Sequence, residues 1–141
     1  MDTSLTGGCL CGAVRYTAVS APLAVRQCYC RTCQYISAGS PSVNMMMHAA
    51  DVTFTGELRE YVSTADSGNI MHRRFCPVCG TPVSNQAESR PQFIVMRVGT
   101  LDDPNAVAPS TAIWVSAAPR WACIDPALTH VDKQPVPPTA R

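Results

Sequence analysis

The chain has 141 residues, enough for one domain with a substantial core, and 46% of them are hydrophobic. Its formal net charge of +1 argues against a nucleic-acid-binding surface, and no apolar run is long enough to cross a membrane. The N-terminal residues lack the basic and apolar segments of a secretory signal, so we expect a cytoplasmic protein. Eight cysteines in that reducing compartment favour metal binding or thiol chemistry over disulfides.

Short segments rich in Val, Ile, Thr, Tyr, Phe and Met predict β-strands. In chain order these segments are residues 13–19, 43–47, 52–55, 58–62, 70–75, 93–98 and 111–115. We expect the third and fourth to form a hairpin that turns at Gly56-Glu57. A short helix is predicted over residues 31–37, and twelve prolines argue against long helices. The sequence thus predicts a mainly β domain of short antiparallel strands over residues 1–124, followed by a Pro-rich tail over residues 125–141 that either drapes over the domain or is disordered.

Seven of the eight cysteines fall into three groups, which are Cys9 and Cys11, then Cys28, Cys30 and Cys33, then Cys76 and Cys79. The last group, followed by Gly80, has the form of a zinc knuckle, in which two thiolates bend toward one ion and the glycine can take positive φ. A redox CxxC pair is the alternative, but such pairs usually open a helix after a strand. Cys9 and Cys11 alternate along an extended chain, so both can face one ion. Four thiolates would complete a closed tetrahedral site.

The segment CYCRTC holds three thiols, Cys28, Cys30 and Cys33, with no fourth nearby. Catalytic zinc sites commonly use three protein ligands and keep a fourth position for water or substrate. The pattern therefore predicts an open second zinc site. Cys123 is the competing fourth ligand, although a single cysteine among apolar neighbours is more often a buried small hydrophobe.

The segments GGCLCGAVRY, CYCRTC, FCPVCG, VGTLDDP and AIWVSAAPRW closely resemble the glutathione-dependent formaldehyde-activating enzyme family, which includes the centromere protein V domain. The resemblance runs from about residue 7 to residue 124 and implies a zinc-containing β-tent fold. It also implies a carbon–sulfur lyase that forms or cleaves S-hydroxymethylglutathione, the adduct of glutathione and formaldehyde. The implied ligand sets are Cys9, Cys11, Cys76 and Cys79 for a structural zinc, and Cys28, Cys30 and Cys33 for a labile catalytic zinc.

Three positions depart from the family's pattern. Tyr29 stands where His is common, Gln34 stands where a basic residue is usual, and Trp121 is displaced by one position. These departures leave the metal ligands intact and bear on glutathione specificity. We therefore expect a zinc-dependent lyase acting on a small thiol adduct, with no membrane partner. The alternatives are a non-catalytic zinc module that binds a protein or nucleic acid, and a degenerate member that keeps only the structural zinc.

A few other residues have two interpretations each. His72 precedes Cys76 by four residues and could approach a metal, but a surface role is favoured. The three methionines of residues 45–47 are assigned to core packing rather than to a copper site. Candidates to bind a substrate carboxylate, or else to carry solvated charge, are Arg31, Arg73 and Arg74.

Overall fold

The computed structural model describes residues 4–136. Within them lie eleven strands, one α-helix and three short 3-10 helices, so the mainly β prediction is confirmed. The strands are β1 (Leu5–Gly8), β2 (Arg15–Ala18), β3 (Ala24–Cys28), β4 (Ser42–His48), β5 (Val52–Thr55), β6 (Arg59–Thr64), β7 (Ile70–Phe75), β8 (Pro82–Ala87), β9 (Phe93–Arg97), β10 (Thr111–Ile113) and β11 (Thr129–His130). The helices are α1 (Arg31–Ile36) and the 3-10 turns Ala49–Asp51, Val98–Thr100 and Val115–Ala117. None of the helices within residues 4–136 is long and apolar enough to span a membrane.

The strands form two sheets. The small sheet has the order β1-β2-β5, and the large sheet has the order β11-β10-β3-β4-β9-β8-β7-β6. Described strand pairs are antiparallel, except that β10 runs parallel to both of its neighbours, β3 and β11.

Strand alternation divides the middle of the large sheet between two environments. Met45, Met47 and Met96 are 0% exposed and pack in the core against the small sheet, where Tyr16 also lies. Met46, one position off, lines a cavity on the opposite face. The core assignment is therefore correct for two of the three consecutive methionines, and the third marks the face that carries the candidate site.

The predicted hairpin over residues 52–62 is wrong. β5 pairs with β2 in the small sheet, whereas β6 pairs with β7 in the large sheet. Gly56 does make a turn, with φ 90°, but a Cβ at this position would lie only 2.0 Å from the carbonyl oxygen of Ala13. The turn at Gly56 thus leads the chain from the small sheet to the large one. The pairing of each strand is determined by the sheet that it joins and not by the turn between them.

Gly56 allows a controlled test of this crossing. Gly68 has nearly the same φ, 88°, but no atom lies within 4 Å of its Cβ position. Because the backbone strain is shared, we expect Gly56→Ala to lower the free energy of unfolding by about 1–3 kcal/mol more than Gly68→Ala, the usual cost of overpacking. Denaturant unfolding of both variants measures the difference, and equal losses would contradict the close approach to Ala13.

The described part of the predicted tail, residues 125–136, lies against the edge of the large sheet. β11 pairs with β10, and Val131 packs against the cluster of Cys28, Cys30 and Cys33. The indole Nε1 of Trp114 donates a hydrogen bond to Oε1 of Gln134 at 2.9 Å. Residues 137–141, which belong to the same predicted tail, lie outside the described residues.

Candidate metal centres

The first group of thiols joins two distant segments. Cys9 and Cys11 follow β1, and Cys76 and Cys79 form the turn after β7; the four Sγ atoms lie within 4.8 Å of one another. The Cys9–Cys11 and Cys11–Cys76 sulfur distances are 3.6 and 3.8 Å. Tetrahedral zinc with Zn–S bonds of about 2.3 Å separates its sulfurs by about 3.8 Å, so the arrangement fits such an ion.

Backbone N–H groups point at these sulfurs, as a knuckle requires. Val78 and Cys79 donate to the Sγ of Cys76 at 3.4 and 3.5 Å, and Gly80 has φ 76°. The hydroxyl of Thr81 lies 3.1 Å from the Sγ of Cys79, and hydrogen bonding from this residue lowers the pKa of that thiol to about 5. The turn is therefore arranged to stabilise thiolates, the form in which cysteine binds metal.

The second group lies where β3 ends and α1 begins. Cys28 is the last residue of β3, Cys30 is the N-cap of α1, and Cys33 lies in the first turn; their Sγ atoms also lie within 4.8 Å of one another. The Sγ of Cys30 accepts the Cys33 N–H at 3.4 Å, which replaces the usual oxygen cap. Hydrogen bonds from Cys28 and Cys30 lower the pKa of Cys33, which favours the thiolate form that binds metal.

Cys123 does not join this group. It is exposed, so the expectation of a buried small hydrophobe is wrong, and among residues 4–136 it belongs to neither sulfur cluster. The three thiols instead meet a cavity of about 130 Å³. No fourth cysteine closes the second cluster within the described chain.

The floor of the cavity is the face of the large sheet that points away from the core. Arg26 on β3 is paired in register with Asn44 on β4, which is paired in turn with Arg97 on β9. Cys28 lies two residues beyond Arg26 on β3 and so faces the same side. The register thus places a row of two arginines beside the three thiols.

The cavity is lined by more positive than negative side chains. Among the described residues that line it, the charged side chains are four arginines and one carboxylate, namely Arg26, Arg73, Arg90, Arg97 and Asp66. Arg97 is only 7% exposed; its Nη1 donates to Oδ1 of Asn44 at 2.6 Å, while its Nε has no described partner. Burial lowers the pKa of Arg97, yet an arginine guanidinium stays protonated in proteins. The buried positive charge lies next to the Cys33 sulfur.

The three arginines proposed from the sequence as carboxylate ligands lie in different places. Arg73 lines the cavity and donates to the hydroxyl of Ser63. Arg31 stacks over the ring of Tyr35 at 5.1 Å, and Arg74 pairs with Glu60 on the surface. Only Arg73 of the three is placed to meet a ligand in this cavity.

His72 has a structural partnership away from both thiol clusters. Its two ring nitrogens lie 2.7 Å from Glu60 and 3.2 Å from Glu88, and the hydrogen bond with Glu60 raises its pKa. The surface interpretation of His72 is confirmed.

Two of the departures from the family's pattern are buried supports and do not line the cavity. Gln34, 5% exposed, donates from Nε2 to the carbonyls of Tyr29 and Ala117 at 2.8 and 2.9 Å. Tyr29 is 3% exposed, and neither side chain is part of the cavity wall. These positions therefore hold the segment of the three thiols in place.

Sequence reasoning missed Arg26, Arg90 and Arg97. One signal was available for Arg97. It ends the apolar strand FIVMR, and a charged residue buried in such a strand needs a polar partner or a bound ligand. Arg26 and Arg90 reach the site only through strand pairing and a loop, which the local sequence does not reveal.

Comparisons with known proteins agree with the fold. The family model of the glutathione-dependent formaldehyde-activating enzyme matches residues 4–117. No curated protein matches the chain. The crystal structure of a Rhodobacter sphaeroides protein, a structural genomics target, is similar with a TM-score of 0.55 and 22% identity, covering 74% of this chain and 92% of that one, which supports the fold alone. Because the matched residues make up most of the chain and include all seven clustered cysteines, the protein belongs to the glutathione-dependent formaldehyde-activating enzyme family.

Proposed function

We propose that this protein is a zinc-dependent carbon–sulfur lyase that acts on a small thiol adduct such as S-hydroxymethylglutathione. The observation that carries the proposal is the position of three clustered thiols in the wall of a cavity. Membership of the formaldehyde-activating family supports the same class of chemistry.

The two thiol clusters would hold zinc for different purposes. Four soft sulfurs at Cys9, Cys11, Cys76 and Cys79 would enclose an ion completely, and binding there becomes folding free energy. Three sulfurs at Cys28, Cys30 and Cys33 would leave one position facing the cavity. Zinc bound there supplies a Lewis acid and a site for a substrate sulfur or oxygen.

The residues of the chain support this chemistry in definable ways. The backbone turn of α1 and the two hydrogen bonds of Gln34 fix the three thiols in one arrangement. The buried guanidinium of Arg97 favours the thiolate form of the neighbouring Cys33. Together these contacts pre-organise the cluster before a ligand arrives.

Cleavage of the adduct requires the transfer of one proton and the shift of two electron pairs. The carbon–sulfur bond breaks with its electrons on sulfur, the hydroxyl of the adduct loses a proton, and the carbonyl of the aldehyde forms. Asp66 is the one carboxylate among the described residues of the cavity wall, and its Oδ2 accepts the backbone N–H of Arg31 at 3.2 Å. It is the candidate to take up the hydroxyl proton.

Exchange spectroscopy tests the function directly. We expect the zinc-loaded protein to accelerate the interconversion of formaldehyde, glutathione and their adduct, measured by NMR against the same mixture without protein. If no small thiol or aldehyde of a test panel is exchanged faster by protein shown to hold zinc in the second cluster, the result would favour the non-catalytic module.

A protein partner would suit two exposed apolar residues in that case. Leu10 and Val78, next in sequence to cysteines of the first cluster, are 90% and 76% exposed.

The difference between the clusters predicts unequal loss of metal. We expect a mild chelator to remove zinc from Cys28, Cys30 and Cys33 well before it removes zinc from the closed cluster, because a fourth position admits the chelator. A chromogenic zinc indicator should therefore show two phases, of which Cys30→Ser abolishes the fast one. Two ions that resist the chelator equally would argue against an open position.

A further inference from the structure

The cavity beside the three thiols has more positive charge than the protein itself neutralises. None of its four arginines forms an ion pair with a carboxylate among residues 4–136, although other arginines of the chain do. Even with a zinc trithiolate carrying one negative charge and with Asp66 ionised, the cavity remains positive. Arg97 is buried and the other three arginines are partly buried, so unpaired charge here is costly and a bound anion is the expected complement.

Two of these arginines have guanidinium groups without a described partner. No hydrogen bond or ion pair joins the side chain of Arg26 or Arg90 to another described residue, and Nη1 of Arg90 is fully buried. Both side chains line the same cavity, so their two positive charges share one small space. Like charges held together without an acid between them are typical of sites that bind a carboxylate.

The strand geometry relates this pair to the thiols. Arg26 and Cys28 face the same side of β3 two residues apart, which corresponds to about 6.6 Å along the strand. The cavity, about 130 Å³, is similar to a cavity of about 150 Å³ that holds benzene, so its enclosed part admits a ligand of only a few heavy atoms. A ligand that reaches both ends must therefore join sulfur and anion by a short chain.

We propose that Arg26 and Arg90 bind a carboxylate, and that the protein selects compact mercapto acids, in which one to three carbon atoms link the thiol to the carboxylate, over neutral or cationic thiols of equal size. The proposal rests on the proposed function only for the sulfur end of the ligand. Arg97 positions the thiol cluster, whereas Arg26 and Arg90 determine specificity. A tripeptide thiol would keep its more distant carboxylates outside the enclosed part.

Three thiols of nearly the same size test the charge preference by calorimetry on protein of measured zinc content: mercaptoacetate, 2-mercaptoethanol and cysteamine. We expect mercaptoacetate to bind at least about tenfold more tightly than 2-mercaptoethanol, the effect of charge-assisted hydrogen bonds, and cysteamine to bind most weakly. Arg90→Gln and Arg26→Gln should each reduce that preference severalfold. Arg59→Gln, at an exposed arginine of β6 outside the cavity, should leave it unchanged.

The outcomes separate this proposal from the lyase proposal. Equal affinity for the anionic and neutral thiols, or a preference that survives both cavity variants, would overturn the carboxylate site. Arg90 lies in a loop, so its variant decides the matter even if Arg26→Gln fails to fold. If mercaptoacetate is preferred but exchange spectroscopy detects no turnover with any thiol, the lyase proposal fails and the carboxylate site stands. Propionate, which has no thiol, should compete with mercaptoacetate in the parent protein and lose that ability in Arg90→Gln.

Discussion

Replacing Cys76 with serine should leave the chain unfolded at room temperature or close to it. Cys76 is 0% exposed, and its sulfur lies among the three others of the closed cluster. Structural zinc contributes about 10 kcal/mol or more in small zinc peptides, whereas a whole domain is stable by only about 5–15 kcal/mol. Loss of one of four thiolates therefore removes a large part of the stability, and the water that replaces it is a weaker ligand.

Cys123→Ser is the matched control for this prediction. Its thiol is exposed and belongs to neither cluster, so the same chemical change should alter the free energy of unfolding by no more than about 0.5 kcal/mol. Thermal and denaturant unfolding, with the zinc content measured in parallel, make the comparison. If Cys76→Ser and Cys9→Ser both melt like the parent protein, the four sulfurs do not form a structural metal site.

Cys30→Ser should abolish thiol-dependent activity and leave the fold intact. The substitution takes one ligand from the cluster that faces the cavity and none from the closed cluster. Serine is a favoured N-cap residue, so α1 keeps a hydrogen bond to its first turn, which Cys30 now accepts through sulfur. We expect exchange of the adduct to fall to the uncatalysed rate and zinc content to fall by one ion per chain, while the melting temperature changes by only a few degrees.

The same control variant applies here for a different reason. Cys123 is the one cysteine of the chain outside the two clusters, so it is the remaining thiol that could substitute for a lost ligand. Cys123→Ser should retain full activity and both metal ions. Activity that persists in Cys30→Ser, or that disappears in Cys123→Ser, would show that the three clustered thiols are not the reactive centre.

The grouping of the cysteines could be predicted from the sequence because each group is local. The spacing of Cys76 and Cys79, with Gly80 after them, dictates a knuckle turn whatever the rest of the chain does. Closing the first cluster required only that two such short groups meet. The cavity was not predictable in this way, since Arg26, Asn44 and Arg97 are neighbours only through the register of β3, β4 and β9.

The strands show the same division between local and distant causes. The strand over residues 52–55, with the sequence VTFT, was predicted correctly because its side chains favour extended structure on their own. β3, with the sequence AVRQC, and β8, with PVSNQA, were missed because half of their residues are polar or lack strand propensity. Three of their polar residues, Arg26, Asn85 and Gln86, line the cavity, so residues that weaken the strand signal also shape the candidate site.

Zinc content combined with X-ray absorption at the zinc edge determines whether one cluster is closed and the other open. We expect two ions per chain, one with four sulfur ligands and one with three sulfurs and an oxygen. Addition of mercaptoacetate should bring the second ion to four sulfurs without changing the first. A single ion per chain, or four sulfurs at both ions before any thiol is added, would contradict the assignment of one closed and one open cluster.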